Sequence, residues 1–302
     1  MNRNKPLEEL TIHDNFMFSA VMMSDTENCR QILEYALGMK VDRVEVVAEK
    51  TMVYHPEYKG IRLDVYVKEM TADGALNRHF DVEMQVANKK IFKRSRYYHS
   101  QMDMEILSTG VSYEDLPDTY VIFICNFDPV GLSKYRYTLR CTFAEDGSYE
   151  YNDGAHTVFL STKGTNDDEV PQSLVTFLKY VGSELEDSEK DYDDPFVKRL
   201  QETVRKVKSD REMGVRYMLF EEMLKDEFKA GEIRGEIKGE IKGKREDIID
   251  LLSDVGVISQ VLEDKLVMIS EKETLRILHK KAARVSSIEE FEEELDKLTT
   301  SE

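Results

Sequence analysis

Cysteine is scarce in this chain of 302 residues, and the three present (Cys29, Cys125 and Cys141) are an odd number at wide spacing. They build neither a C-x-x-C pair nor a disulfide framework, which fits a reducing compartment. The six histidines (13, 55, 79, 99, 156 and 279) include no H-x3-H and no HExxH, which speaks against a zinc enzyme. Long apolar runs are also missing. The longest clean one is of the order of Val121-Ile122-Phe123-Ile124-Cys125, far short of the ~20 residues a membrane helix needs. The opening MNRNKPLEEL is polar and carries no apolar signal region. A soluble, cytoplasmic protein without a membrane partner is the expectation. Ser161-Thr-Lys-Gly-Thr165 lacks the Gly-x4-Gly-Lys-Ser/Thr spacing of a phosphate loop, and no Ser/His/Asp or Cys/His set stands out. His13, beside Asp14, is the one histidine worth testing.

What the chain does have is apolar content, 41%, with 13 Phe and 15 Tyr, enough for a folded core in one or two domains. It also has acid: 60 Asp+Glu against 42 Lys+Arg, a formal charge of −18. Taken whole, that charge opposes nucleic-acid binding. Its distribution says otherwise, because residues 1–140 hold 18 basic and 21 acidic side chains, whereas 141–302 hold 24 and 39. The acidity sits in runs such as 184–194 and 289–296, the usual mark of a solvated face.

Along the first half, Ser24-Asp-Thr-Glu27 has capping-box spacing and Gly38 offers a left-handed stop to the helix between them. Period-two alternation then predicts two strands. Ile61, Leu63, Val65 and Val67 oppose Arg62, Asp64 and Tyr66; Phe80, Val82 and Met84 oppose Asp81, Glu83 and Gln85. A helix over 89–109 ending at Gly110, a strand over 120–126, and β segments over 137–143, 149–151 and 157–160 follow. Asn152-Asp153-Gly154 makes a turn into the last of these. From Pro171 the pattern becomes helical. Asp194-Pro195 marks an N-cap with proline at the first helical position, and Ser209–Glu212 and Ser287–Glu290 repeat the capping-box spacing. Between them Gly231-Glu-Ile-Arg, Gly235-Glu-Ile-Lys, Gly239-Glu-Ile-Lys and Gly243-Lys recur every four residues, which reads as a helical spacer or an association segment. The expected organisation is a domain over 1–228, a connector over 229–244 and a helical acidic region over 245–302.

Asp64 and Glu83 fall on neighbouring polar faces with the spacing D-x18-E-x-Q. Two carboxylates converging across adjacent strands, with the Met84 backbone carbonyl between Glu83 and Gln85, suit a hard divalent cation such as Mg²⁺. Such an ion activates water and stabilises charge on a phosphate. Gln85 is uncharged, so it can orient water or phosphate but cannot supply a cation. The plainer reading is a pair of solvated acids on a hairpin. Directly afterwards, Lys89, Lys90, Lys93, Arg94 and Arg96 run to Gln101 without an acid, and Tyr97 and Tyr98 lie three and four residues past Arg94. Cations for a phosphodiester backbone and rings for packing suit nucleic acid; a solvated basic helix with its tyrosines in the core is the alternative.

Thr11-Ile-His-Asp14-Asn-Phe16, Arg62-Leu-Asp64-Val, Phe80-Asp-Val-Glu83-Met-Gln85 and Arg94-Ser-Arg-Tyr-Tyr98 resemble the Rpn family of recombination-promoting nucleases, also labelled transposases, within the PD-(D/E)XK superfamily. Gly110-Val-Ser-Tyr113-Glu-Asp-Leu116, the strand after it and the Gly-Glu-Ile-Lys repeat extend the resemblance over roughly residues 5–255. It implies an α/β fold with a central mixed sheet flanked by helices, a helical C-terminal region, and a Mg²⁺- or Mn²⁺-dependent endonuclease acting on DNA and promoting recombination. Asp64 and Glu83 match the family's metal-binding acids, Gln85 the position where the superfamily more often has Lys, and Asp14 an N-terminal acidic position. On this reading Lys89, Lys90, Lys93, Arg94, Arg96 and Tyr98 meet DNA, with little sequence preference because phosphates carry no base information. A homodimer through the C-terminal helices is the expected assembly. A nuclease acting on RNA, or a catalytically silent interaction protein of the same fold, is the competing expectation.

Overall fold

Acid rather than hydroxyl starts two of the three helices whose entry carries capping-box spacing. In the computed structural model, which describes residues 5–52, 61–71, 76–88, 90–107 and 112–299, α1 runs Asn15–Ser24 and α2 Thr26–Leu37. The Ser24 hydroxyl donates back to the Ala20 carbonyl at 2.6 Å, so it is spent on the helix it ends. Asp25 caps α2, accepting the Glu27 N–H at 3.0 Å, and its charge suits the positive end of the helix dipole. The same one-residue shift recurs further on. Ser209 donates to the Lys206 carbonyl at 3.0 Å while Asp210 accepts the Glu212 N–H at 2.8 Å. Ser287 does cap its helix, accepting the Glu290 N–H at 3.3 Å. Gly38 stops α2 as expected, at φ 69°.

The six strands form one mixed sheet in the order β1-β2-β3-β4-β6-β5. β1 (Arg43–Met52), β2 (Ile61–Met70) and β3 (Leu76–Gln85) pair antiparallel. β4 (Asp118–Cys125) runs parallel to β3, and β6 (Ala155–Ser161) parallel to β4. A parallel neighbour needs a crossover, and α3 (Phe92–Ile106) supplies it between β3 and β4. It starts three residues later than the basic run predicted; its expected stop, Gly110, lies outside the described residues, as does Lys89. β4 is buried on both faces, Val121–Cys125 being wholly inaccessible, which explains its unbroken apolar sequence. Short β5 (Arg136–Thr138) closes the edge against β6. The predicted strands over 137–143 and 149–151 reduce to β5 and one bridge, Thr142–Glu150. The physical reason is that residues 140–153 are exposed beyond the start of β6, where β6 offers them no backbone to pair with.

Helices flank the sheet. α1 and α2 pack on β1, with α1 also on β2, and α3 on β4. A cluster of Tyr66, Tyr98, Met102, Val121, Phe123 and Phe159 seals α3 to the strands. α4 (Gln172–Val181), α5 (Leu185–Ser188) and α6 (Pro195–Ser209) complete this part. At Pro195 the sequence signal holds, Asp194 accepting the N–H groups of Phe196 and Val197 at 2.9 Å each.

The chain divides into two compact units, Met1–Met218 and Leu219–Glu302. In the second, most of α7 (Arg211–Ser253) is followed by α8 (Gln260–Met268), α9 (Lys272–Ala282) and α10 (Ile288–Thr299). Its core gathers Ile248, Leu252, Leu262, Leu266, Leu275, Leu278, Phe291 and Leu295. The glycine repeat is therefore interior helix. A Cβ built on Gly235 or Gly239 meets nothing within 4 Å, so alanine fits both sites and removes the helix penalty of glycine. Gly235→Ala and Gly239→Ala should each stabilise this unit by about 1 kcal/mol, read as a rise in the urea midpoint of the full chain.

Candidate active site

Cross-strand register builds the site. Val65 lies opposite Val82 and Tyr66 opposite Asp81, which brings Asp64 level with Glu83. Side chains alternate along a strand, so Asp64, Asp81, Glu83 and Gln85 share one face. The two acids then lock through each other's backbone. The Asp64 N–H donates to Glu83 Oε1 at 3.0 Å, and the Met84 N–H donates to Asp64 Oδ2 at 3.1 Å. From α1, Asn15 Nδ2 donates to Asp64 Oδ2 at 3.3 Å and the Ser19 hydroxyl to the Asp64 carbonyl at 3.2 Å. Residues 15 and 19 are one helical turn apart, and that spacing was the available signal for a pair that sequence reasoning missed.

α3 brings the counter-charge. Arg94 Nη2 donates to Glu83 Oε2 at 2.7 Å and to the Tyr98 hydroxyl at 2.6 Å, while Nη1 donates to Gln85 Oε1 at 2.8 Å. The guanidinium lies 5.1 Å from the Tyr98 ring centroid and 5.6 Å from that of Phe123. Gln85 turns its Nε2 to the Met84 carbonyl at 3.0 Å and to Glu83 Oε2 at 3.4 Å. The plainer reading of a solvated hairpin pair does not hold for Glu83, which is 1% exposed, while Asp64 is half-buried and Asp81 beside them is 0% exposed. The sheet faces a helix at this point, and α3 excludes the water that an open hairpin would meet.

Burial raises the Glu83 carboxyl to about 8, with the Asp64 charge pushing the same way and Arg94 opposing both. Asp81 moves well upward too, through burial first and then the charges of Glu83 and Asp64. Neither of its carboxyl oxygens has a hydrogen-bond partner. Close acids held out of water repel, and a cation relieves them. The donors here are all oxygen: the Asp64 and Glu83 carboxylates, the Met84 carbonyl and the Gln85 amide. No group of three or more His, Cys, Asp or Glu side chains is placed to hold a metal among the described residues, so there is no closed protein cage. Mg²⁺ does not require one, since one or two carboxylates serve while waters and phosphate complete its shell. The residues fit such an ion.

Other predicted site residues fall elsewhere. The Asp14 carboxylate accepts the Thr11 N–H at 2.8 Å and lies 3.7 Å from Lys5, which closes the turn into α1; its neighbour Asn15, not Asp14, bonds Asp64. Lys90, Lys93 and Arg96 are exposed, Arg94 is half-buried against the acids, and Tyr98 is buried. His13 and His99 hold structure. His13 Nδ1 donates to the Val181 carbonyl at 3.0 Å, and His99 spans the Thr119 and Thr157 hydroxyls at 2.8 and 3.0 Å. Burial lowers His79 and His99 to about 4. All three cysteines are free.

A family model described as PD-(D/E)XK nuclease family transposase matches residues 22–231. The span holds Asp64, Asp81, Glu83, Gln85 and Arg94 and leaves Asp14 and Asn15 outside. No curated protein and no solved structure matches the chain.

Raised carboxyl pKa values mean that the folded chain binds more protons than the unfolded one from about pH 4, where free carboxyls ionise, up to about 8. Without divalent ions, stability contributed by these groups is full below about pH 4 and falls as pH rises through that window. Urea denaturation in EDTA across pH 5–9 should show a shallower decline for Asp81→Asn and for Glu83→Gln than for the wild type.

Proposed function

Since the chain belongs to the PD-(D/E)XK nuclease family transposases, we propose that it is a divalent-metal-dependent endonuclease that hydrolyses DNA phosphodiester bonds with little sequence preference and so promotes recombination. The observation that supports this most directly is the interlocked pair Asp64 and Glu83, the first half-buried and the second buried and paired with a guanidinium on a helix that carries a basic run. Asp64, Glu83 and the Met84 carbonyl would hold Mg²⁺ or Mn²⁺, which supplies Lewis acidity and a more acidic bound water. In hydrolysis a water oxygen bonds to phosphorus, the bond from phosphorus to the leaving sugar oxygen breaks, and that oxygen gains a proton as the water loses one. Glu83 and Gln85 flank this position and orient water and phosphate. Asp14 acts at one remove, by fixing the turn from which Asn15 and Ser19 reach Asp64. Lys89, Lys90, Lys93 and Arg96 track backbone phosphates. Among the described residues no helix is long and apolar enough to cross a membrane, and three free cysteines fit the cytoplasm.

With folding verified, the wild type should nick supercoiled plasmid in Mg²⁺ or Mn²⁺. Asp64→Ala and Glu83→Ala should lose about two orders of magnitude, the scale of removing one electrostatic contributor to a transition state. An intact plasmid would overturn the proposal, and equal nicking by Asp64→Ala would move the site. Mg²⁺ should also raise the melting temperature by mass action, and Glu83→Ala should abolish the rise. RNA offered in parallel separates the two substrates.

We also propose a homodimer through α7. At 100° per residue, Ile233, Ile237 and Ile241 form a column with Glu232, Glu236 and Glu240 along one flank and Lys238 and Lys242 along the other. Ile233 and Ile237 are 49% and 44% exposed. Parallel pairing of two copies sets the acidic flank of one against the basic flank of the other, while antiparallel pairing sets like against like. Light scattering should give a dimer for the wild type and a monomer for Ile233→Glu/Ile237→Glu; a monomeric wild type refutes the pairing.

A further inference from the structure

Phosphodiester hydrolysis gathers negative charge on the phosphate, and this site meets it with carboxylates and a neutral amide on the strands. A cation has to come from another element, and the described contacts bring one onto the acids: Arg94, from α3. We infer that Arg94 is a catalytic residue, the group that binds the phosphate under attack and stabilises its developing charge, rather than one more backbone contact like Lys93 or Arg96. The inference rests on the nuclease reading above and goes beyond it in assigning that charge to one side chain.

Three observations carry it. The first is position: the guanidinium is within hydrogen-bond distance of both Glu83 (2.7 Å) and Gln85 (2.8 Å), whereas Lys90, Lys93 and Arg96 lie exposed on the same segment. The second is the donor count. An arginine has five N–H donors, and the bonds to Glu83, Gln85 and Tyr98, the last from both Nε and Nη2, occupy four. One Nη1 hydrogen is left for an incoming oxygen on a side chain that is 35% exposed. The third is preorganisation. Tyr98 and Phe123 present ring faces to the guanidinium at 5.1 and 5.6 Å, and Gln85 Oε1 accepts from it, so the fork is held before substrate arrives. A fixed donor next to developing charge stabilises it without the cost of reorienting.

The arrangement also accounts for a neutral residue at position 85. A lysine there would put an ammonium against Arg94 in a spot where residue 85 is 9% exposed, and like charges held out of water repel strongly. Glutamine accepts from Arg94 and donates to Glu83 and the Met84 carbonyl at once. Strand and helix thus divide the work: β3 keeps an amide, and α3 sends the charge.

The test measures single-turnover cleavage of a labelled DNA duplex in Mn²⁺ together with affinity for the same duplex in EDTA, where no cleavage occurs. Arg94→Gln should lose about 10²–10³-fold in rate with affinity changed less than about threefold. Arg94→Lys should keep more of the rate, and Lys93→Gln/Arg96→Gln should weaken affinity by more than Arg94→Gln does. Because Arg94 also neutralises Glu83, the variant is checked for folding by its melting temperature. The double variant Gln85→Lys/Arg94→Gln returns the cation from the strand and should recover at least about tenfold over Arg94→Gln. Full rate in Arg94→Gln, a loss confined to affinity, or no recovery in the double variant overturns the assignment. If Asp64→Ala is inactive and Arg94→Gln is not impaired, only the Arg94 assignment falls; if the wild type does not cleave, or Asp64→Ala cleaves as the wild type does, the nuclease site falls with it.

Discussion

Everything at the site depends on the register between β2 and β3. With Val65 opposite Val82, Asp64 comes level with Glu83 and each acid meets the backbone beside the other. A slip of one residue would send the polar set to the other face and separate Asp64 from Arg94's neighbours. Register is held at the far end of the pair as well. Glu69, fully buried on β2, accepts from Arg78 and Asn77 of the neighbouring β3 segment and from the Asp42 N–H at 2.7 Å. Burial alone would raise the Glu69 carboxyl; Arg78 and these hydrogen bonds outweigh it and hold it below the usual range. An ion pair at one end thus fixes the alignment that brings like charges together at the other.

Those like charges are the strained part of the molecule. Asp64 lies half-buried on the same face as the buried Asp81 and Glu83, and Arg94 offsets only part of the effect of burial and of the Asp64 charge, since Glu83 is raised to about 8 despite it. A fold optimised for stability alone would put apolar side chains there, as it does on the opposite face with Leu63, Val65, Val67, Phe80, Val82 and Met84. Retaining acids where burial penalises them fits the chemistry of a site that takes up a divalent ion and a phosphate. The whole-chain charge of −18 is a poor guide to this, because the cations near the site belong to a segment with no acid from Val86 to Gln101.

The C-terminal unit follows a different logic. Its core is six leucines, one isoleucine, one alanine and one phenylalanine contributed by four helices, while the glycine repeat sits in the helix leading to that core. Four glycines in a helix interior weaken it, yet α7 runs through all of them. The repeat's isoleucines are only partly covered within the unit, which makes this stretch the place where the sequence pattern and the remaining exposed surface coincide.

Much of this was legible in the residues. Period-two alternation marked β2 and β3, Gly38 and Asp194-Pro195 marked a helix stop and a helix start, and the spacing of Asp64, Glu83 and Gln85 picked out the acids. Such features are local: they depend on which residues stand two, three or four positions apart. Capping by Asp25 and Asp210 instead of the preceding serines was not legible, because a hydroxyl and a carboxylate one residue apart both satisfy the pattern and backbone geometry chooses between them. The C-terminal limit of β5 after Thr138 was not legible either, because a strand needs a neighbour and the sequence does not say where β6 begins. Burial of Asp81 and Glu83, the reach of Asn15 and Ser19 to Asp64, and the turn of Arg94 away from its basic neighbours onto Glu83 and Gln85 belong to tertiary structure alone. Each depends on how α1 or α3 packs against the strands, which periodicity along a single element does not encode. The sequence by itself determined which side chains could carry the chemistry; packing decided which of them meet.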